Sequence, residues 1–155
     1  MIKTNRAIVY RLYPNKKQAE LFQKTFGCVR FVYNQMLSIQ EERYKSNESH
    51  LSKFDMNLYC NRNLKTEYAW LKEVDKFALT NAIYHLEDGY QRMFKRLGKH
   101  PKYKNKHKAK KSYTTNFTNN NIEVGENYIK LPKVGKVKAK ISLDTKCLRI
   151  KSDTI

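Results

Sequence analysis

Residues 7–37 read AIVYRLYPNKKQAELFQKTFGCVRFVYNQML, and the hydrophobic period changes once within them. Before Pro14 apolar and polar residues alternate, which is typical of a β-strand over residues 7–12. Asn15 followed three residues later by Gln18 forms a capping box, which predicts that a helix begins directly after Pro14. The helix is expected over residues 16–45, with one apolar face and a kink near Gly27. That face carries Phe22, Phe26, Val29, Tyr33, Met36 and Leu37.

Further helices are expected in the middle of the chain. Ser52, with Asp55 three residues on, caps a second helix that carries Met56, Cys60 and Leu64. A third helix has the most regular period, and Gly98 is expected to end it as a C-cap. Its apolar positions are Leu79, Ile83, Leu86, Tyr90, Phe94 and Leu97.

The C-terminal part returns to a period of two. Strands are predicted over residues 113–117, 122–124, 128–131, 137–143 and 147–151. A lone first strand needs a partner, so we expect it to pair with these strands. The predicted fold class is α+β: a small β-barrel from residues 1–13 and 112–155, with a three- to four-helix bundle inserted over residues 14–111.

Charge is the most informative compositional feature. The formal net charge is +18, and residues 89–155 hold eighteen basic and four acidic residues, against fourteen and ten before them. Between Gly89 and Ile122 there are ten Lys or Arg and no Asp or Glu, with aromatics interleaved. Lysines can neutralise phosphates and aromatic rings can stack on bases, so this stretch favours a nucleic-acid partner over an anionic membrane. The alternative is that the stretch is a solvated basic loop with no partner.

No apolar run approaches the ~20 residues that a bilayer requires, and the first residues lack the apolar core of a signal peptide. We therefore expect no membrane partner and a cytoplasmic, nucleoid-associated protein. Cys28, Cys60 and Cys147 form no CxxC pair, so a zinc site is not expected, and the first two suit core thiols.

Catalytic patterns are not found. The histidines lack HxxxH or HExxH spacing, phosphate-binding glycine motifs are missing, and the carboxylates lie on predicted helix surfaces. By these criteria the chain is a binding module without a cofactor.

Four segments, in order, resemble the transposon-encoded OrfB/TnpB family. The segments are RAIVYRLYPNKKQAELFQKTFGCVRFVYNQML at 6–37, WLKEVDKFALTNAIYHLEDGYQRMF at 70–94, GKHPKYKNKHKAKKSYTTNFT at 98–118 and LPKVGKVKAK at 131–140. The third matches the family's G-x-P-x-(F/Y)-K segment and the fourth its LPK-(I/V)-G strand. Each motif is weak alone, but four in the same order cover nearly the whole chain.

The resemblance implies a wedge-type β-barrel interrupted by a helical, helix-turn-helix-like recognition domain. Family members are RNA-guided DNA endonucleases, so guide RNA and double-stranded DNA are the implied partners. Their metal-dependent RuvC-like domain follows the barrel, whereas this chain stops at Ile155, and Asp144 and Asp153 do not match the nuclease motifs. We therefore expect binding without catalysis. The alternatives are a guide-independent DNA-binding regulator, or part of an enzyme that a nuclease domain completes in cis or in trans.

The candidate contacts fall into three groups. Arg30 and Asn34 match the family's G-x-x-R-(F/Y)-x-Y-N pattern, and with Lys138 and Lys140 they are predicted to contact RNA or DNA. For Arg30 and Asn34 the alternative is an exposed pair or an internal hydrogen bond. A motif-reading group is predicted from the third helix and the next strand, because its chemistry suits base edges, although Phe77 also suits a core position: Lys76, Phe77, Thr80, Asn81, Ser112, Tyr113 and Thr114. Phosphate contacts are predicted from the basic stretch: Arg92, Arg96, Lys99, Lys102, Lys104, Lys106, Lys108, Lys110 and Lys111.

Overall fold

The computed structural model describes residues 4–141 and 152–155. Strand β1 spans Arg11–Tyr13 and pairs antiparallel with β5, Gly135–Lys140, with Arg11 opposite Lys140. The strand predicted over residues 7–12 therefore begins at residue 11 instead of residue 7. Arg11 pairs with Lys140, the last residue of β5, so the ladder does not extend to residues 7–10.

Helix α1 spans Lys16–Lys45 without interruption at Gly27. The predicted capping box is confirmed: the Gln18 backbone N–H donates to Asn15 Oδ1 at 2.9 Å, and the Asn15 N–H donates to Gln18 Oε1 at 3.0 Å. The Gln18 side-chain amide also donates to the carbonyl of Lys136 at 2.7 Å, which ties the start of α1 to β5.

Helix α2 spans Lys53–Tyr59 and is capped by Ser52 as predicted. It continues through a π-helical turn, Cys60–Leu64, into the short α3, Lys65–Glu67, and a 3₁₀ segment, Ala69–Glu73. Helix α4 follows over Lys76–Phe94, with Asp75 as its N-cap.

The predicted C-cap at Gly98 is wrong, because α4 ends four residues earlier. Arg96 takes the left-handed position with φ 59°, and its N–H donates to the Met93 carbonyl at 2.9 Å. The Leu97 N–H donates to the Arg92 carbonyl at 2.7 Å, which completes a Schellman motif. An arginine therefore stands where glycine is usually preferred.

The remaining strands are β2, Thr114–Asn116; β3, Glu123–Val124; β4, Tyr128–Leu131; and β6, Ser152–Thr154. They form an antiparallel sheet in the order β1-β5-β4-β3 and a pair β2-β6. The α+β class and the pairing of the first strand with a C-terminal strand are confirmed. Among the described strands these two sheets do not close into one barrel. The strand predicted over residues 147–151, Asp144 and Cys147 lie outside the described residues.

One hydrophobic core joins the helices and the sheet. Val32 and Met36 of α1 and Ile83 of α4 are fully buried in it, as is Val137 of β5. Cys28 and Cys60 are buried free thiols, as expected from the helical pattern. No helix in the described part of the chain has both the length and the apolarity to cross a membrane.

Candidate nucleic-acid interface

The four-stranded sheet turns a row of cations outward. Along β5 the buried Val137 and Ala139 alternate with exposed lysines, as the period of two requires. Register then sets Arg11 of β1 opposite Lys140 and Lys130 of β4 opposite Lys136. Like charges directly opposite each other destabilise a sheet. Glu123 of the edge strand β3 lies opposite Lys130 and accepts a hydrogen bond from the Tyr128 hydroxyl, so it offsets part of this charge.

Two tyrosines share this surface. Tyr13 and Tyr128 lie opposite Lys138 from its two neighbouring strands. The Arg11 guanidinium lies 5.7 Å from the Tyr13 ring centroid, and Lys136 Nζ lies 4.7 Å from that of Tyr128. Cations interleaved with aromatic rings suit a single strand, which offers phosphates and base faces together. We call this surface the sheet face, and its members are Arg11, Tyr13, Tyr128, Lys130, Lys136, Lys138 and Lys140.

The sequence predicted only Lys138 and Lys140 of the sheet face. Lys136 lies on the same strand, and Tyr128 and Lys130 come from the adjacent β4, whereas Arg11 and Tyr13 lie more than a hundred residues earlier and join them only through strand register. The sequence held two local signals for the wider surface: the basic residue Arg11 near the end of the first strand, and the alternation of lysines with apolar residues over residues 137–141.

The basic stretch after α4 is docked on α1 near its centre. Asn34 Oδ1 accepts the Lys104 backbone N–H at 2.8 Å, and Asn34 Nδ2 donates to the Lys104 carbonyl at 3.0 Å. Pro101 is buried, and the Tyr103 hydroxyl donates to Glu41 at 2.8 Å. The alternative of an internal hydrogen bond for Asn34 is therefore what the structure contains.

Lys104 differs from the other predicted phosphate contacts. Its Nζ lies 4.3 Å from the Tyr33 ring centroid, and burial lowers the pKa of its ammonium group. Its charge is thus turned toward the protein. The others are exposed, and none of them forms an ion pair with a carboxylate of the described residues: Arg92, Arg96, Lys99, Lys102, Lys106, Lys108, Lys110 and Lys111.

The structure brings the two halves of the predicted motif-reading group together. Asn81 Nδ2 of α4 donates to the Thr114 carbonyl of β2 at 2.9 Å, and also to the Phe77 carbonyl at 2.9 Å. Because both amide hydrogens are used, Asn81 must release one to read an adenine. Its role as a reader stays a prediction beside this structural role.

The other members of the group differ in access. Lys76 is exposed, with Nζ 5.1 Å from the half-buried Phe77 ring, and the Thr80 hydroxyl donates to Asn57 Oδ1 at 3.2 Å. Ser112 is half-buried. Tyr113 is buried against α1, 5.9 Å from the Phe26 ring, which leaves it no exposed face for a base.

Among the described residues, no three His, Cys, Asp or Glu side chains lie close enough together to bind a metal ion. One titratable pair was not foreseen from the sequence: His50 Nε2 lies 2.8 Å from Glu87 Oε2 beneath Tyr90. Gln91 donates to the other Glu87 oxygen at 2.7 Å, so this carboxylate is satisfied within the protein.

Comparison with known proteins agrees with the resemblance in the sequence. Residues 1–49 match the family model of the IS605 OrfB helix-turn-helix domain. A Streptomyces pristinaespiralis protein named putative RNA-guided DNA endonuclease is 34% identical over 113 residues, which are 72% of this chain but 28% of that protein. Virulence protein VsdF of Salmonella dublin is 33% identical over 119 residues, 66% of this chain and 94% of its own length. The chain therefore belongs to the transposon-encoded OrfB/TnpB family.

Proposed function

We propose that this chain binds nucleic acid, as the part of an OrfB/TnpB-type protein that holds a guide RNA and a double-stranded DNA target. The observation that carries the proposal is the sheet face, where cations from three strands stand side by side with two exposed or half-exposed tyrosines. The five cations of this face outnumber the Glu123 carboxylate beside Lys130, and phosphates would relieve the remaining repulsion.

The surfaces suit different tasks. The sheet face and the exposed lysines of the basic stretch supply contacts that do not depend on base sequence. The juxtaposed α4 and β2 offer Lys76 and nearby polar groups to base edges of a short DNA motif. Longer sequence specificity then comes from pairing between guide and target.

Catalysis is not part of the role proposed for these residues. Endonuclease activity is named for the Streptomyces relative, of which this chain spans little more than a quarter. A nuclease domain in cis or in trans would have to supply the catalytic acids.

The test is the salt dependence of binding. Replacing Lys136, Lys138 and Lys140 with Gln should flatten the slope of log K against log salt by about 0.7–0.9 for each phosphate that is no longer neutralised. The matched control replaces three exposed helical lysines, Lys45, Lys53 and Lys72, which changes the net charge equally. Equal effects of the two triple variants would show that total charge, not the sheet face, drives binding.

A second measurement separates guide RNA from guide-independent DNA binding. Under the proposal, RNA copurifies with the chain, and nuclease treatment that removes this RNA abolishes site-specific DNA binding. Specific DNA binding by RNA-free protein would instead support a guide-independent regulator.

A further inference from the structure

A cavity of about 350 Å³ lies between α1 and the 3₁₀ segment Ala69–Glu73, and none of the sheet-face residues lines it. Its walls combine an open glycine, two aromatic rings, two cations and one carboxylate. They are Gly27, Phe31, Trp70, Lys24, Arg30 and Glu73, and the buried Cys28 completes the lining.

The aromatic wall is fixed in place yet partly open to solvent. The Trp70 ring lies edge-to-face with Phe31 at 4.9 Å, and Phe31 lies edge-to-face with Tyr68 at 4.8 Å. Trp70 nevertheless remains 43% exposed. An indole that is held by neighbours and still exposed offers a stacking surface without the entropic cost of ordering it.

The backbone of α1 leaves room beside this ring. Apart from its chain neighbours and the backbone of α1 itself, a Cβ placed on Gly27 would meet no heavy atom within 4 Å, so space remains where other residues would project a side chain. Glycine in the middle of a helix costs about 1 kcal/mol relative to alanine. The open space is thus kept at the expense of helix stability.

The polar groups at the rim have complementary uses. Arg30 and Lys24 are donors suited to a phosphate, and Lys24 Nζ lies 3.5 Å from Glu73 Oε2 in an exposed ion pair. The Glu73 carboxylate accepts hydrogen bonds and cannot donate them, so it is suited to the amino group of a base.

We propose that this cavity holds one unpaired nucleotide of a single strand. Its base stacks on Trp70 in the space beside Gly27, its phosphate is held by Arg30 with Lys24, and Glu73 accepts a hydrogen bond from a base amino group. The inference extends the proposed nucleic-acid binding to residues outside the sheet face, so each assignment can fail alone.

Trp70 is the only tryptophan of the chain, so its fluorescence reports directly on the cavity. The probes are a ten-nucleotide single strand as RNA and as DNA, the corresponding DNA duplex, and inorganic polyphosphate. Saturable quenching by a single strand, with little by the duplex or polyphosphate, is expected, and the RNA and DNA arms identify the source of the nucleotide. Quenching by polyphosphate to the same extent, or by no single strand, would overturn the proposal.

Variants separate occupation of the cavity from folding. Gly27→Leu fills the space while improving helix propensity, so it should abolish quenching without lowering the melting temperature. Trp70→Ala should weaken single-strand binding about 5- to 150-fold, as expected for loss of one stacked base. Tyr44→Ala, which removes an 83% exposed aromatic elsewhere on α1, should change little.

Two outcomes tell the surfaces apart. Quenching that survives the sheet-face lysine variants would leave the cavity proposal intact even if the salt-slope test fails. Undiminished quenching in Gly27→Leu would refute the cavity proposal whatever the sheet face does.

Discussion

Asn34 supplies both side-chain hydrogen bonds from α1 to the Lys104 backbone, so Asn34→Ala should loosen the attachment of the basic stretch, which the Tyr103–Glu41 hydrogen bond then has to maintain on this face of α1. Asn34 makes two hydrogen bonds to the Lys104 backbone, at 2.8 and 3.0 Å, each with a net value of about 0.5–1.5 kcal/mol. Alanine recovers about 0.7 kcal/mol as the better helix former. The net loss should be about 0.5–2 kcal/mol, or a fall of about 1–8 °C in melting temperature for a chain of this size.

Amide hydrogen exchange provides the local measurement. In Asn34→Ala the Lys104 N–H loses its acceptor and should exchange much faster. The exchange rates of core amides in α4 should change only as much as the free energy of global unfolding changes. Gln23→Ala, at an exposed position of the same helix, controls for the substitution itself. Because the lysines remain, the salt slope of binding should not change. Unchanged protection of the Lys104 amide, together with unchanged unfolding, would refute the reasoning.

Three shorter predictions test other features. Arg96→Gly should stabilise the fold by about 0.5–1 kcal/mol by relieving the left-handed backbone, yet weaken nucleic-acid binding; loss of stability in denaturant would contradict this. Burial, followed by the charge of Glu73, raises the pKa of the Cys28 thiol to about 11, so at pH 8 only about one thiol in a thousand is ionised, and alkylation should be slow until the protein is unfolded. Lys76→Ala should weaken binding to the preferred DNA motif at constant melting temperature, whereas Asn81→Ala should lower stability by about 1–3 kcal/mol as well; a stable Asn81→Ala protein would show that its bonds to the backbone matter little.

Local signals predicted the helices well. Asn15 and Gln18 satisfy each other's backbone within one turn, so their spacing alone indicated where α1 begins. The predicted end of α4 was wrong, because backbone hydrogen bonds and not a glycine end this helix. Glycine at position 98 was the expected stop, but two backbone hydrogen bonds form one turn earlier and force Arg96 into the left-handed region. Sequence preference at a helix end is a tendency that backbone bonding can override.

The sheet face shows where sequence reasoning ends. The alternation of lysines with apolar residues along β5 was visible, and it predicted which side chains face outward. Lys130 lies opposite Lys136 across the β4–β5 hairpin, but the position of Arg11 depends on its pairing with Lys140, more than a hundred residues away. A shift of register by one residue would turn Arg11 to the other face, so composition alone cannot assign it to the surface.

Amide side chains explain the remaining gap, because their chemistry serves two purposes equally well. An asparagine or glutamine presents an N–H donor beside a carbonyl acceptor, and this pair fits the edge of adenine. The backbone N–H and C=O of one residue offer the same complement. Asn34 uses it on Lys104, and Gln40 does the same on Leu51, with bonds of 3.0 and 2.8 Å.

A sequence cannot distinguish these uses, since both place a polar amide on a helix beside basic residues. They differ in what a substitution does to the free protein. Removal of a base-reading group leaves stability unchanged, whereas removal of a group bonded to the backbone leaves a donor or acceptor without its partner and lowers stability before any ligand is added. Reduced affinity in an asparagine variant is therefore informative about readout only when unfolding is measured on the same protein. Exposed cations such as Lys76 and the open Gly27 are the positions where binding can be changed with the least effect on the fold.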